Sequence, residues 1–291
     1  MYTDLLGKQR IKLNLHMHTT NSDGGKSPED AVAFYKAAGY DAVALTDHWK
    51  FHPSKAIDGM RILSGIEYNI PGRDATVGVC HILGLGCKEE PNIGKEDSMQ
   101  KMVDEIIRCG GLPVMAHPAW SLNMPEDALS LNGLEVTEIY NSVSDAHNSS
   151  RPYSGYFVDA VASHGKQLAL LATDDTHFYD GSDDTKAWIM LECAADATDD
   201  ALLQAIRDRK FYATQGPEVH IWREGDEVKL RCSPACRISL FSNIVINSGF
   251  CIRGENLTEH SCPIQPMQSY IRAEVTDAEG KVAWSNILDL R

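Results

Sequence analysis

A chain of 291 residues with 43% hydrophobic content is long enough to bury a sizeable core, which excludes a mainly disordered protein. Its formal net charge of −14 excludes a basic surface that would attract nucleic acid or anionic lipid. Residues 1–10 are polar, and no stretch approaches the roughly 18 uninterrupted apolar residues of a membrane span. We therefore expect a cytoplasmic protein with no membrane partner.

From Ile11 onward, short apolar runs alternate with helical patterns, which is typical of an α/β fold built from β/α units. Ser27, Pro28 and the two acids after them predict the start of a helix that ends near Ala38. Apolar residues at helical spacing predict a second helix around 99–107. Strands are predicted at Ile11–Met17, Ala42–Thr46, Arg61–Ile66, Cys80–Leu85, Leu112–Ala116, Gly133–Ile139, Leu168–Thr173 and Lys210–Ala213.

Helical periodicity disappears after Gly216-Pro217, and short strands separated by turn residues follow. This change predicts a barrel domain of β/α units at 1–216 and a small antiparallel, sandwich-like β domain at 217–291. The strands of the second region are predicted at Val219–Trp222, Glu227–Cys232, Arg237–Ser242, Tyr270–Thr276 and Lys281–Leu288.

Eight scattered cysteines in a chain without an export signal are expected to be reduced thiols. A zinc site formed by the last cysteines and His260 is an alternative, although their spacing matches neither the paired nor the finger pattern. The residues concerned are Cys232, Cys236, Cys251, His260 and Cys262.

Residues of the metal-ligand type occur near the ends of the predicted strands. His16 and His18 point to the same side of their strand, about 6 to 7 Å apart, so both rings could reach one metal ion. Asp23 follows in a turn that could fold its carboxylate back over the strand end. A His-x-His pair alone is a weak signal.

The recurrence of the pattern strengthens that signal, because parallel β/α barrels collect catalytic groups at the carboxyl ends of their strands. His81 is the exception: it precedes its apolar run, so its strand is expected to run differently or to be displaced. The further ligand-type residues are His48, Glu67, His81, His117, Asp175 and His177.

The order of these nine residues resembles that of the polymerase and histidinol phosphatase (PHP) superfamily of metal-dependent phosphoesterases. The resemblance covers roughly residues 11–215, and it implies a distorted (β/α)7 TIM-like barrel with two or three divalent metal ions. The segment 211–217 and the β region after it look like the carbaryl-hydrolase-like branch. Zinc, manganese and iron all suit mixed imidazole and carboxylate ligands.

The resemblance also implies how the ligands are shared among the metals. Glu67 bridges two ions, and Glu67, Asp175 and His177 are the expected catalytic residues of the centre. Asp174 and Asp47 are candidates for hydrogen-bonding partners that orient a ligand. The first metal takes His16, His18, Glu67 and Asp175, the second takes Glu67, His81 and His117, and the third takes Asp23, His48 and His177.

The expected activity is hydrolysis of a small phosphorylated metabolite, a nucleotide or the end of a short oligonucleotide by a metal-bridging hydroxide. Hydrolysis of a carboxylic ester, amide or carbamate at the same site is the first alternative, and a non-catalytic metal-binding module is the second. Lys26 and Arg151 are candidate phosphate contacts, and His52 and His147 are weaker substrate candidates. The oligomeric state is not predicted.

Overall fold

The computed structural model describes residues 2–74, 77–146 and 149–291; His147 lies outside these ranges. The helices in the described ranges are α1 (Pro28–Ala37), α2 (Met99–Arg108), α3 (Pro118–Ser121), α4 (Pro125–Ser130), α5 (Gly155–Ser163) and α6 (Asp199–Arg207). The strands there are β1 (Tyr2–Thr3), β2 (Gln9–Asn14), β3 (Ala42–Ala44), β4 (Lys55–Ile57), β5 (Met60–Leu63), β6 (Gly65–Asp74), β7 (Val77–Leu85), β8 (Leu112–Met115), β9 (Val136–Asn141), β10 (Ala169–Thr173), β11 (Trp188–Glu192), β12 (Phe211–Thr214), β13 (Val219–Glu224), β14 (Glu227–Ser242), β15 (Cys251–Pro263), β16 (Tyr270–Thr276), β17 (Val282–Ser285) and β18 (Leu288–Asp289).

The described strands form two sheets, so the chain is mixed α/β as predicted. The larger sheet has the order β13-β14-β16-β17-β12-β11-β2-β3-β5-β4, and the smaller has the order β10-β9-β8-β7-β6. Pairing is parallel along β2-β3-β5 and β8-β9-β10. The hydrogen-bonded ladders of the described residues do not close into one ring, and a closed (β/α)7 barrel therefore remains a prediction.

One departure from regular β/α alternation is the pair β6–β7, which is antiparallel. Only residues 75 and 76 separate the two strands, which leaves no room for a crossover helix. As a result β7 also runs antiparallel to β8. The expectation that the strand of His81 runs differently from its neighbours is confirmed.

Helices α1 and α2 begin at capping serines. The side chain of Ser27 accepts a hydrogen bond from the Asp30 amide at 3.1 Å, and Pro28 occupies the first turn of α1. Ser98 caps α2 in the same way. Among the described residues, no helix has the length and apolar character needed to cross a bilayer.

The C-terminal strands are antiparallel, as predicted, and they continue the larger sheet. β12 pairs with β11 on one edge and with β17 on the other. Trp284 of β17 stacks on Tyr140 with ring centroids 5.1 Å apart. The side chain of Asn286 accepts from the Leu170 amide and donates to the Phe211 carbonyl, both at 2.8 Å. The predicted boundary at residue 216 thus lies within one hydrogen-bonded sheet.

Some strands differ from the sequence prediction for identifiable reasons. β14 is one long strand where two were predicted, because the register shifts near Ala235 and this irregularity accommodates Pro234. β15 was not predicted, since most of its residues are polar and exposed on both faces. β11 was also missed.

The C-terminal cysteines do not converge on a common point. Cys236 contacts the Asp277 carbonyl, whereas Cys251 lies opposite Ser239 on the neighbouring strand. The described residues of this region contain no group of three ligand-type side chains drawn from these cysteines and His260. The alternative of a C-terminal zinc site is therefore wrong, and all eight cysteines are free thiols, as expected.

Candidate metal centre

His16 and His18 follow the end of β2, and both side chains are fully buried. The segment between them is held in extended form, because Met17 forms a parallel bridge with Thr176. The two Nε2 atoms lie only 3.3 Å apart, much closer than the spacing of the residues along a strand, since the rings tilt toward a shared point. The pair can thus reach one ion.

Two carboxylates complete this first group. Glu67 Oε2 lies 3.3 Å from His16 Nε2 and 3.1 Å from His18 Nε2. Asp175 Oδ1 lies 3.1 Å and 3.0 Å from the same two nitrogens. Four ligands arranged tetrahedrally at bonds of about 2.0 Å lie about 3.3 Å from one another. The measured spacings are close to that value, so the first group has the dimensions of a tetrahedral metal site.

Unpaired polar atoms support the same interpretation. Glu67 Oε2, Asp175 Oδ1 and His48 Nδ1 are buried, and none of them has a hydrogen-bond partner among the described residues. Burying unpaired polar atoms is costly, and such atoms are rare in folded proteins. Divalent cations would satisfy all three, and the donor set therefore fits metal binding.

Glu67 also faces a second group of histidines. Its Oε1 atom lies 2.8 Å from His81 Nδ1 and 3.4 Å from His117 Nε2, while its Oε2 atom lies 3.1 Å from His48 Nδ1. His81 reaches this position from the middle of the antiparallel strand β7. The carboxylate of Glu67 thus lies between two groups of nitrogen ligands.

A third group forms around Asp23. Its carboxylate lies 3.6 Å from His177 Nε2, 3.9 Å from His48 Nε2 and 3.6 Å from His18 Nδ1. The turn that brings it there requires Gly24, because a Cβ at that position would lie 2.4 Å from the His18 carbonyl oxygen. The nine ligand-type residues identified in the sequence therefore converge on one region.

Hydrogen bonds on the outer side of the rings orient three of the histidines. Nδ1 of His16 lies 2.8 Å from a Glu138 oxygen, and Nδ1 of His117 lies 2.9 Å from the Ser121 hydroxyl. His177 Nδ1 donates to the Asp175 carbonyl at 2.8 Å. Where Nδ1 carries the proton, the lone pair of Nε2 is free to face the centre, which is the usual arrangement of metal-binding histidines.

Glu138 was missed in the sequence, where it was placed only as part of a strand. It is fully buried in β9, and besides His16 it accepts from the His117 amide at 2.8 Å, from Asn141 at 2.8 Å and from Thr173 at 2.7 Å. The available signal was its charge within an otherwise apolar and β-branched strand, because buried carboxylates require partners.

We expect the substitution Glu138→Gln to weaken metal affinity by about 10- to 100-fold, since a neutral amide orients His16 less firmly. The measurement is a competition titration with a chromophoric chelator, together with kcat/KM. Glu135→Gln is the matched control, because Glu135 belongs to the same segment but is exposed. Equal affinity in the two variants would contradict a positioning role for Glu138.

Asp174 has a different role from the one suggested by the sequence. It does not orient a histidine; its two oxygens accept from the Tyr35 hydroxyl at 2.6 Å and from Ser142 at 3.0 Å. They also accept from three consecutive backbone amides, at 2.8–2.9 Å, in residues 185–187. The proposed tautomer-fixing role of Asp174 is wrong: this carboxylate anchors the loop between Asp175 and β11.

Asp47 was predicted to orient a ligand, but its carboxylate bonds to residues that flank the centre and to none of the nine ligand-type residues. It accepts from the Thr19 amide and hydroxyl at 2.7 Å each and from Ser22 at 2.6 Å. His52 Nε2 lies 2.6 Å from the same carboxylate and is buried, so His52 supports Asp47 and does not face a substrate. Through Ser22, which lies 3.4 Å from His18 Nδ1, Asp47 reaches the first group.

Another group of ligand-type residues lies away from the centre. His220 Nε2 is 2.6 Å from Glu218 and 3.7 Å from Asp4. Arg10 and Tyr2 already donate to these carboxylates, at 2.6 Å and 2.7 Å. Since its acceptors are occupied, we interpret this group as a structural contact between the N-terminal strands and β13.

The charges at the centre are strongly coupled. Burial alone would lower the pKa of His16 and His18, but the carboxylates of Asp175 and Glu67 raise the pKa of His16 well above its usual value and that of His18 to about 9. The histidines in turn hold the pKa values of Glu67 and Asp175 below their usual range, against the effect of burial. Protons and metal ions therefore compete for the same atoms, and metal binding should release protons.

Backbone conformations with positive φ occur at two of the ligand-type residues. Asp175 has φ 51° and His117 has φ 27°, and Trp49 and Phe178, which follow His48 and His177, both have φ 57°. Such conformations are costly in residues other than glycine, and they concentrate at functional sites.

The three groups open into a cavity of about 280 Å³. Four of its lining residues were not identified as candidates in the sequence: Trp120, Val143, Ser144 and Tyr179. Lys26 and Arg151 are not among the described residues that line it. The Lys26 ammonium lies 5.5 Å from the rings of Phe34 and Phe178, and Arg151 is exposed with its amide bonded to the Ser144 carbonyl. Their contact with phosphate remains a prediction.

Fold and site together describe a mixed α/β protein with a candidate metal centre. Among solved structures, the chain is similar to a two-domain protein from Bacteroides vulgatus described as containing a predicted PHP-like metal-dependent phosphoesterase. The likeness covers 99% of this chain and 98% of that one, with a TM-score of 0.55 and 15% identity. At this identity it shows the fold, and the resemblance to the PHP superfamily is confirmed at that level.

A second likeness is partial. An amidohydrolase from Chromobacterium violaceum, solved with bound sulfate, matches 59% of this chain and 89% of its own, with a TM-score of 0.41 and 18% identity. No protein-family model and no curated protein sequence matches the chain.

Proposed function

We propose that this protein is a metal-dependent hydrolase, and specifically a phosphoesterase that acts on a small phosphorylated metabolite or a nucleotide. The observation that carries the proposal is the first group, in which His16, His18, Glu67 and Asp175 present four atoms at tetrahedral spacing. The fold of a PHP-like relative agrees with it. An intact ligand set also argues against a non-catalytic module.

The three groups support the ligand sharing implied by the family. Glu67 lies between the first and second groups and is the proposed bridging ligand. His48 faces Glu67 through Nδ1 and Asp23 through Nε2, so it can serve either the second or the third group. We propose two or three divalent ions, with zinc, manganese and iron all compatible with these ligands.

Divalent ions bound here would lower the pKa of a water molecule toward neutrality and stabilise negative charge on the attacked group. The chain supplies the rest of the mechanism. Glu138 and Ser121 fix the rings of His16 and His117, and the loop anchored on Asp174 carries His177. Burial of Glu67 and Asp175 keeps competing water away from the ligands.

A second candidate is hydrolysis of a carbon ester, amide or carbamate. The observation that favours it is the lining of the cavity, which contains no lysine or arginine among the described residues. A phosphate dianion would therefore depend on metal ions for neutralisation of its charge. A neutral ester carries no charge that must be neutralised when it binds.

A substrate screen separates the two candidates. Protein loaded in turn with zinc, manganese or iron is tested against phosphomonoesters, phosphodiesters and aryl carboxylic esters, and we expect turnover of a phosphate ester that is lost on chelation and restored by metal. Turnover of carbon esters alone would replace the first proposal by the second. Full metal loading with no turnover in any class would favour the binding module.

A further inference from the structure

Two aromatic side chains flank the mouth of the 280 Å³ cavity. Trp120 lies edge-on to the rings of His117 and His81, with centroids 4.9 Å and 5.7 Å apart. Tyr179 stacks on His177, with centroids 5.2 Å apart and planes inclined by 25°. Trp120 follows His117 by three positions, and Tyr179 follows His177 by two. The position of each aromatic ring therefore depends on the histidine that it contacts.

Both rings remain accessible to solvent. Trp120 is 38% exposed and Tyr179 is 59% exposed. Within the described part of the chain, neither the indole N–H nor the phenol hydroxyl has a hydrogen-bond partner. Large rings that are neither buried nor tied down at the entrance of a concave site are typical of ligand contacts, since aromatic groups combine a broad apolar face with one polar atom.

The size of the cavity limits how much of a substrate it can enclose. A volume of about 280 Å³ is at the small end of ligand pockets, which span roughly 300–1,000 Å³. A substrate larger than the cavity would extend past the exposed rings of Trp120 and Tyr179, which belong to its lining. Among the described residues, no lysine or arginine lines the cavity, which favours contact with the rings over an ion pair.

We propose that the substrate carries a planar aromatic group one or two bonds from the ester oxygen, and that Trp120 and Tyr179 select it by stacking. The proposal rests on the hydrolytic function proposed above. A planar aromatic ring would stack on the exposed faces of these side chains, whereas an aliphatic group of the same size would not.

The test compares benzyl phosphate with cyclohexylmethyl phosphate, whose leaving alcohols have the same size and similar acidity but differ in aromaticity. We expect a kcat/KM ratio of about tenfold in favour of the benzyl ester for the metal-loaded wild-type protein, which is the size of effect that a stacked ring produces. The ratio should fall to about twofold or less in Trp120→Leu and Tyr179→Leu. Because the readout is a ratio of two kcat/KM values, a change that lowers the activity on both esters equally leaves it unchanged.

Tyr156→Leu is the control, because this tyrosine is 84% exposed on α5 and does not line the cavity. It should keep the wild-type ratio. The second readout is calorimetric binding of benzylphosphonate and cyclohexylmethylphosphonate, which needs no turnover, with metal content measured for each variant. A wild-type ratio near one, or wild-type ratios in both leucine variants at full metal content, would overturn the proposal.

The two proposals fail in different ways. If no phosphate ester is hydrolysed but benzylphosphonate still binds preferentially through Trp120, the phosphoesterase function falls and the aromatic selection stands. Benzyl acetate and cyclohexylmethyl acetate then report the same selection on a carbon ester. Binding of both phosphonates without preference would overturn the aromatic selection whatever the reaction.

Discussion

Replacing Glu67 with glutamine is expected to lower kcat/KM for the best substrate by about a thousandfold or more. One of the two oxygens becomes an amide NH2, which cannot bind a cation, and both oxygens of Glu67 face ligand-type nitrogens of different groups. At least one group therefore loses a ligand. A thousandfold corresponds to about 4 kcal/mol, which is within the several kcal/mol of transition-state stabilisation that a metal ion supplies.

The same variant should also lose metal in a way that does not depend on turnover. After dialysis, elemental analysis should find at least one ion fewer per chain than in the wild type, and added metal should raise the melting temperature less. Glu96→Gln is the matched control, because Glu96 is exposed in the loop before α2. If the Glu67 variant kept the metal content and activity of the wild type, the proposal that Glu67 bridges two ions would be wrong.

Replacing Asp174 with asparagine is expected to lower the free energy of unfolding by about 3 kcal/mol at pH 8. The five groups that bond to this carboxylate are all donors. In the variant, the NH2 group of the asparagine side chain would face some of these donors and could not accept from them. Leaving buried donors unpaired costs about 1–3 kcal/mol for each group, and more when the lost partner is charged.

Urea unfolding measured by far-UV circular dichroism tests this expectation. Asp196→Asn, on an exposed loop, should change the free energy of unfolding by less than about 0.5 kcal/mol. Kinetic assays should show that Asp174→Asn also loses activity, because the loop it anchors carries His177. If the two variants are equally stable, the donor network around Asp174 does not hold the loop.

The residues of the candidate centre were accessible to sequence reasoning because polar groups at the ends of apolar strands are conspicuous. His16 and Glu67 each follow an apolar run, and their side chains meet although β2 and β6 belong to different sheets. Glu138 is chemically the same kind of residue as Glu67, and each is the third residue of its strand in the structure. Only the partners seen in three dimensions separate a ligand from the carboxylate that orients one.

The adjacent acids Asp174 and Asp175 show the same limit. Spacing to His177 correctly directed attention to Asp175, whose Oδ1 atom faces both histidines of the first group. Nothing in the sequence showed that Asp174 points the opposite way. Its direction depends on the loop at residues 185–187, which returns to it from eleven or more positions away.

The fold was predicted best where periodicity is local. The parallel strands and the capped helix α1 follow from apolar spacing and from Ser27. The long strand β15 consists mostly of exposed residues, so the apolar pattern of the chain carries little information about it. The continuity of the sheet across residue 216 is a property of pairing that composition cannot reveal.

That continuity constrains how the protein is assembled during translation. β12 leaves the ribosome well before β17, the strand that covers its second edge. Until β17 arrives, the amides of Phe211–Thr214 on that edge are open to any other extended chain, and such long-range pairing is slow to form. The nascent protein thus passes through a period in which all nine ligand-type residues have been synthesised while one edge of β12 is still unpaired.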